Sequence, residues 1–244
     1  VIAPLLSLAN ALAPDEQPLA VAAIAAVPHA EAQPVLLRAL GTATAPEAAT
    51  VLRVLATYGD PALRGTFAVA ARHADGRVAA AALSGLADIP APGVIALLSS
   101  YAKDGREIVS ASAKAGLLTV AESRDPQDEV ALATYHDTLA DPSASMQTKR
   151  RALQGVARIG NPRSLPLVEP MLDEPGEVAN DVAAALASIA KAVGVTDRAR
   201  AIGICERILR VSQDRATLTS AAATLRDFGV TADIAGPAGF ITGW

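Results

Sequence analysis

The sequence predicts an all-α protein: a right-handed α/α superhelix of about six to seven stacked helical hairpins. Three observations lead there. Alanine, the residue with the best intrinsic helix propensity and almost no side-chain entropy to lose, supplies 56 of the 244 positions. Aromatic side chains make up only 3% of the chain, too few for a strand-rich core. And one apolar pattern recurs along the chain: a small or β-branched residue, an apolar residue four later, another three after that, then a breaker.

The first copies are Ala20, Ile24 and Val27 before Pro28; Val51, Leu55 and Tyr58 before Gly59; and Ala82, Leu86 and Ile89 before Pro90. A fourth, Ala113, Leu117 and Val120, is followed by Ala121 and lacks the breaker. These four copies, opening at Ala20, Val51, Ala82 and Ala113, are evenly spaced. Later copies are Ala152, Val156 and Ile159 before Gly160, and Ala221, Leu225 and Phe228 before Gly229, with Val182, Leu186 and Ile189 between them fitting more loosely. The i, i+4, i+7 spacing sets each trio on one helix face, and Gly or Pro then stops the helix. First helices are therefore expected near 15–27, 46–58, 76–88, 106–120, 145–158, 177–192 and 215–228.

Each first helix is followed by a second, near 31–40, 61–72, 92–102, 126–140, 162–173 and 197–212. Three of these open on a capping residue ahead of proline: Asp60-Pro61, Asp125-Pro126 and Asn161-Pro162. Proline is tolerated at the first helical position because its missing N–H would have no intrahelical partner there. These Asp and Asn residues read as caps and not as metal ligands, because they recur at one place in the repeat without a second ligand. A hairpin of this kind cannot bury its apolar face alone, so successive hairpins are expected to stack around a continuous core.

Charge and composition exclude several classes. Net charge is −4, and neither half is basic, so no surface is built to neutralise a phosphate backbone. The one basic concentration, Lys149-Arg150-Arg151 with Arg158 and Arg163, reads as a solvated helix face. The apolar content argues against disorder, and no apolar run reaches the ~18 residues of a membrane-spanning helix. The single cysteine, Cys205, lies in an apolar helical pattern and reads as a core thiol. No Gly-rich phosphate loop is present: Gly59 and Gly160 stand alone as helix stops.

Asp75-Gly76-Arg77-Val78, with Ala81, Ala82 and Leu86 behind it, and Asp104-Gly105-Arg106 opening the next copy, resemble the first-helix signature of the bacterial HEAT-like, or PBS-lyase-type, repeat. The resemblance covers about residues 1–229, and the pair at 177–212 departs from it most. A tetratricopeptide array would need a Trp/Gly/Tyr pattern that is absent. The first residues, Val1 to Leu8, match the second half of later hairpins, so the chain is expected to start inside one, as a piece of a longer protein. Residues 230–244 are expected to form a non-helical tail or linker. Its end, Gly239-Phe240-Ile241-Thr242-Gly243-Trp244, resembles the junction after HEAT segments in large exported bacterial proteins, departing at Gly243. That resemblance implies a bacterial, exported or periplasmic setting, and expects Phe240 and Trp244 either to pack on the last helix pair or to be disordered.

Enzymes that resemble such arrays supply tests. The di-iron hydroxylases among them carry paired His-Glu motifs, whereas none of His29, His73 and His136 is followed by Glu. The DNA glycosylases use a basic, aromatic concave face, which an acidic chain with one Trp and three Tyr does not match. The phycobilin chromophore lyases share the repeat and stand as the alternative reading, as enzyme or accessory factor, without residues to carry their chemistry. The leading expectation is a non-catalytic protein-interaction or spacer module with no cofactor, no metal, no nucleic acid and no membrane insertion, whose partner is another protein or neighbouring domains of the same polypeptide. The resemblance implies that second helices line a concave surface. Candidate contacts on it are Arg38, Arg72, Tyr101, Lys103, Tyr135, His136, Arg207 and Arg210, with Gln33, Arg64, Ser99, Glu169 and Glu206 on the same helices.

Overall fold

The computed structural model describes residues 16–89, 91–173 and 176–231. Among them the chain is helical throughout and contains no strand. Residues Val1 to Leu8 and the tail from 232 onward lie outside the described residues, and with them the expectations for the start of the chain, Phe240 and Trp244. The chain divides into two compact units, Val1–Val120 and Ala121–Trp244.

The first unit holds α1 (Gln17–Ala25), α2 (His29–Leu40), α3 (Ala45–Thr57), α4 (Arg64–Ala70, preceded by the 3-10 turn Pro61–Leu63), α5 (Gly76–Ala87), α6 (Val94–Tyr101) and most of α7 (Glu107–Glu122). The second holds α8 (Glu129–Ala140), α9 (Met146–Ile159), α10 (Leu165–Val168, between 3-10 turns Pro162–Ser164 and Pro170–Asp173), α11 (Ala179–Val193), α12 (Arg198–Val211) and α13 (Arg215–Asp227). In the first unit α1 packs on α3 and α3 on α5; in the second α9 packs on α11 and α11 on α13. Within each unit these first helices touch one another in that order, while α2, α4 and α6, or α8, α10 and α12, pack beside them.

Helix lengths follow the breakers. Gly59 and Gly160 stop α3 and α9 in the left-handed conformation, at φ of 59° and 63°, which an L side chain adopts only at a cost. The copies without a breaker run on: α7 continues through Ala121 to Glu122, and α11 through Ala190 to Val193. The caps act as expected at Asp60, which accepts from Ala62 N at 2.9 Å, and at Asn161, which accepts from Arg163 N at 2.9 Å. Asp125-Pro126 is a correction. Asp125 accepts from Gln127 N in a turn, and the helix begins later, at Glu129, with Asp128 as its cap. The expected helix 162–173 is broken, because neither Pro166 nor Pro170 can donate to the carbonyl four residues back.

The repeat's first two positions form the core. Ala20, Val51, Ala82, Ala113, Ala152, Val182 and Ala221 are all buried, as are Ile24, Leu55, Leu86, Val156, Leu186 and Leu225. The fourth copy differs: Leu118 is fully buried, and Leu117 packs only partly against the same core. Burial is uneven among the helices of the first unit. Eight of the 12 residues of α5 and seven of the 13 of α3 are buried, against two of 12 in α2 and two of eight in α6.

Candidate functional site

The second helices place the candidate residues in three groups. Arg38, Arg72, Lys103 and Arg210 are exposed. Arg38 donates only to Pro34 O of its own helix (3.2 Å), and Arg210 only to Glu206 O (3.2 Å). Arg72 and Lys103 make no side-chain hydrogen bond or ion pair among the described residues. Arg64 and Ser99 are exposed as well.

A second group is tied to neighbouring hairpins. Arg207 bridges Glu169 (2.9 Å) and Asp173 (2.8 Å), and Arg200 also reaches Glu169 (3.2 Å). Gln33 donates to Asp60 at 2.8 Å. His136 Nε2 lies 2.8 Å from the hydroxyl of Ser164, which is fully buried, so this imidazole pins α8 to the turn before α10. Burial pushes the His136 pKa below its ordinary value, which keeps the ring neutral in that contact.

The third group lies inside. Tyr135, expected on the surface, is 0% exposed, and Tyr101 is half-buried against the core of the first unit. The Tyr135 ring occupies the space over Gly155, where a Cβ would overlap it. Its hydroxyl accepts from Arg158 Nη2 at 3.2 Å, and burial raises its pKa. Arg158 also donates to Glu122 O (2.9 Å), and Arg151 pairs with the Glu122 carboxylate through two bonds of 2.9 and 2.8 Å. The basic run is solvated, with Arg150, Arg158 and Arg163 exposed, and its arginines also tie to neighbouring hairpins. Arg150 reaches Asp181 (3.1 Å) and Arg163 reaches Glu129 (2.8 Å), each about one repeat away in sequence.

Apolar periodicity misplaces Tyr135 because it does not show a glycine-shaped hollow. The signal is nonetheless present. Three copies carry Gly three positions after the small anchor: Gly85, Gly116 and Gly155. Mid-helix glycine costs roughly 1 kcal/mol relative to alanine, so its recurrence asks for a packing reason. Phe67 fills the hollow at Gly85, and Leu98 approaches the Gly116 position to 3.2 Å. Leu36, Phe67 and Leu98 occupy the same place in successive repeats and are all fully buried, so one position of the second helix keys into the next first helix.

The chemistry on offer is limited. No group of three or more His, Cys, Asp or Glu side chains could hold a metal ion among the described residues, and none of their helices is long and apolar enough to cross a membrane. Cys205 is buried, and burial together with the Glu206 charge pushes its thiol pKa up to about 11, the opposite of an activated nucleophile. Asp75, the cap of α5, and Asp104, in the turn before α7, are held at about 2 by the arginine two positions on, Arg77 and Arg106, which pair back at 2.8 and 2.9 Å. No family model matches the chain, and no curated protein is detectably similar to it.

Proposed function

We propose that this chain is a non-catalytic interaction or spacer module, a right-handed HEAT-like solenoid that presents its second helices to a protein partner or to neighbouring domains of the same polypeptide. The uneven burial among the helices of the first unit supports this reading. The first helices α3 and α5 bury most of their residues, while α2, α4 and α6 bury one or two each. Such a layer has side chains to offer without loss to the core. The Cys205 thiol, the His136 imidazole and the capping carboxylates have structural roles or surroundings that favour the unreactive form.

A photo-crosslinking residue at Val69 or Arg210, both exposed on second helices, is expected to capture protein in cells that make the chain. The same residue at Ser84 or Gln154, exposed on first helices, is expected to capture little. Equal or greater capture from the first helices would overturn the assignment of the contact face.

A further inference from the structure

We propose that His136 is an acid-sensitive latch in the second unit: at neutral pH its ring holds α8 to the turn before α10, and protonation releases that joint. The inference concerns this contact and does not depend on what the second helices meet outside the chain. Ser164 ends the 3-10 turn Pro162–Ser164 behind the Asn161 cap, and it is 0% exposed. Its hydroxyl lies 2.8 Å from His136 Nε2 and makes no other side-chain hydrogen bond among the described residues. A hydroxyl buried in this way needs an acceptor for its proton.

Nε2 is that acceptor only while the ring is neutral with its own proton on Nδ1, because both nitrogens of an imidazolium are donors. Protonation therefore leaves the Ser164 proton without a partner and places a charge in a half-buried site. A second tie joins the same elements, Arg163 to Glu129 at 2.8 Å. Its side chains are 68% and 73% exposed, where an ion pair adds little to stability. The buried contact is the one whose loss α8 and the turn would register.

The surrounding charges are mostly engaged elsewhere. Burial lowers the His136 pKa from the ordinary 6.5, and Asp137, its neighbour on α8, offsets this only in part. On α9, Arg151 and Arg158 are turned to Glu122 and Tyr135, Arg150 to Asp181 of α11, and Lys149 is the remaining cation. Arg163, beside Ser164, is held by Glu129, and Glu169, after α10, by Arg200 and Arg207. α11, which packs on the Ser164 turn, carries Lys191 besides Asp181. With the folded pKa depressed, the unfolded chain takes up the proton first as pH falls. The latch is therefore at full strength above about pH 6.5 and weakens below it, toward the folded pKa.

The test follows the full 244-residue chain by NMR titration and amide exchange between about pH 7.5 and pH 5. The His136 ring is expected to titrate below its ordinary value. Ser164→Ala is expected to move that midpoint upward, because the neutral ring loses the hydroxyl that donates to it. In the wild type, exchange in α8 and in residues 162–168, corrected for its intrinsic pH dependence, is expected to rise about threefold or more on acidification. His136→Gln, whose carbonyl accepts from Ser164 at either pH, is expected to show no such rise. An unmoved midpoint in Ser164→Ala, a wild type without the acid response, or the same response in His136→Gln would overturn the proposal. If His136→Gln fails to fold, the midpoint comparison between the wild type and Ser164→Ala decides alone.

Discussion

In the first unit Arg38, Arg72 and Lys103, at or just past the ends of second helices, form no ion pair among the described residues, whereas in the second unit Arg151, Arg163, Arg200 and Arg207 each reach a carboxylate about one repeat away. Both units stack first helices on first helices, and both set an aromatic ring into a glycine hollow, Phe67 over Gly85 and Tyr135 over Gly155. They differ in how the hairpins are stitched at the surface. In the first unit the ties between hairpins include no guanidinium–carboxylate pair among the described residues: Gln33 to Asp60, Tyr58 Oη to Val27 O at 3.1 Å, and Arg106 to His73 O. Its close-packed alanine spine needs little else. The second unit has less alanine on α9 and binds its hairpins with guanidinium–carboxylate bridges, so its arginines are committed to neighbours. Arginines thus bridge neighbouring hairpins to carboxylates in the second unit, whereas Arg38 and Arg72 of the first unit are left to solvent.

The largest effects should come from the feature the units share. Gly85→Ala and Gly155→Ala are each expected to destabilise by about 1–3 kcal/mol through overpacking, read as a fall in the thermal midpoint. Phe67→Leu should rescue Gly85→Ala by vacating the hollow. Tyr135→Leu should rescue Gly155→Ala less completely, because it also removes the hydroxyl that accepts from Arg158, a loss of about 1 kcal/mol. Full and equal rescue in both would show that the second unit's polar network adds nothing to the aromatic lock.

Smaller effects should separate the units. Arg207→Met removes two bridges and is expected to raise amide exchange in α12 by the equivalent of about 1 kcal/mol or less, a difference that fades in about 1 M salt. Arg72→Met should leave exchange in α4 unchanged. The reverse pattern would erase the contrast between the two units.

The smallest effect is expected in acid. Asp75 and Asp104 have folded pKa values of about 2, below the ordinary 3.8. A carboxylate depressed in this way stabilises the fold fully above its unfolded value and loses that contribution as pH falls through the folded one. The first turn of α5 and the turn leading into α7 should therefore loosen between about pH 4 and pH 2, seen as faster amide exchange there, and Asp75→Asn should flatten the response at α5.

Much of the fold was legible because it depends on local rules. Alanine content, the i, i+4, i+7 anchors and the Gly and Pro stops determined which segments are helical, and the missing stops after Val120 and Ile189 account for the long α7 and α11. Caps were legible where one residue dominates, as at Asp60 and Asn161. They were not where two acids compete, since Asp125 and Asp128 differ only in which turn they close. Among the candidate surface residues, exposure was legible for Arg38, Arg72, Lys103 and Arg210, whose long charged side chains are costly to bury. It was not legible for Tyr135, an amphipathic side chain that suits either surface or core.

What tertiary structure alone decided is pairing across hairpins. Which ring meets which glycine, and which arginine finds a carboxylate in the next repeat, depends on how neighbouring helices are set against each other. A sequence pattern with one helix in view contains the helix and its buried face. Whether a charge on the other face is satisfied or free depends on the next helix over.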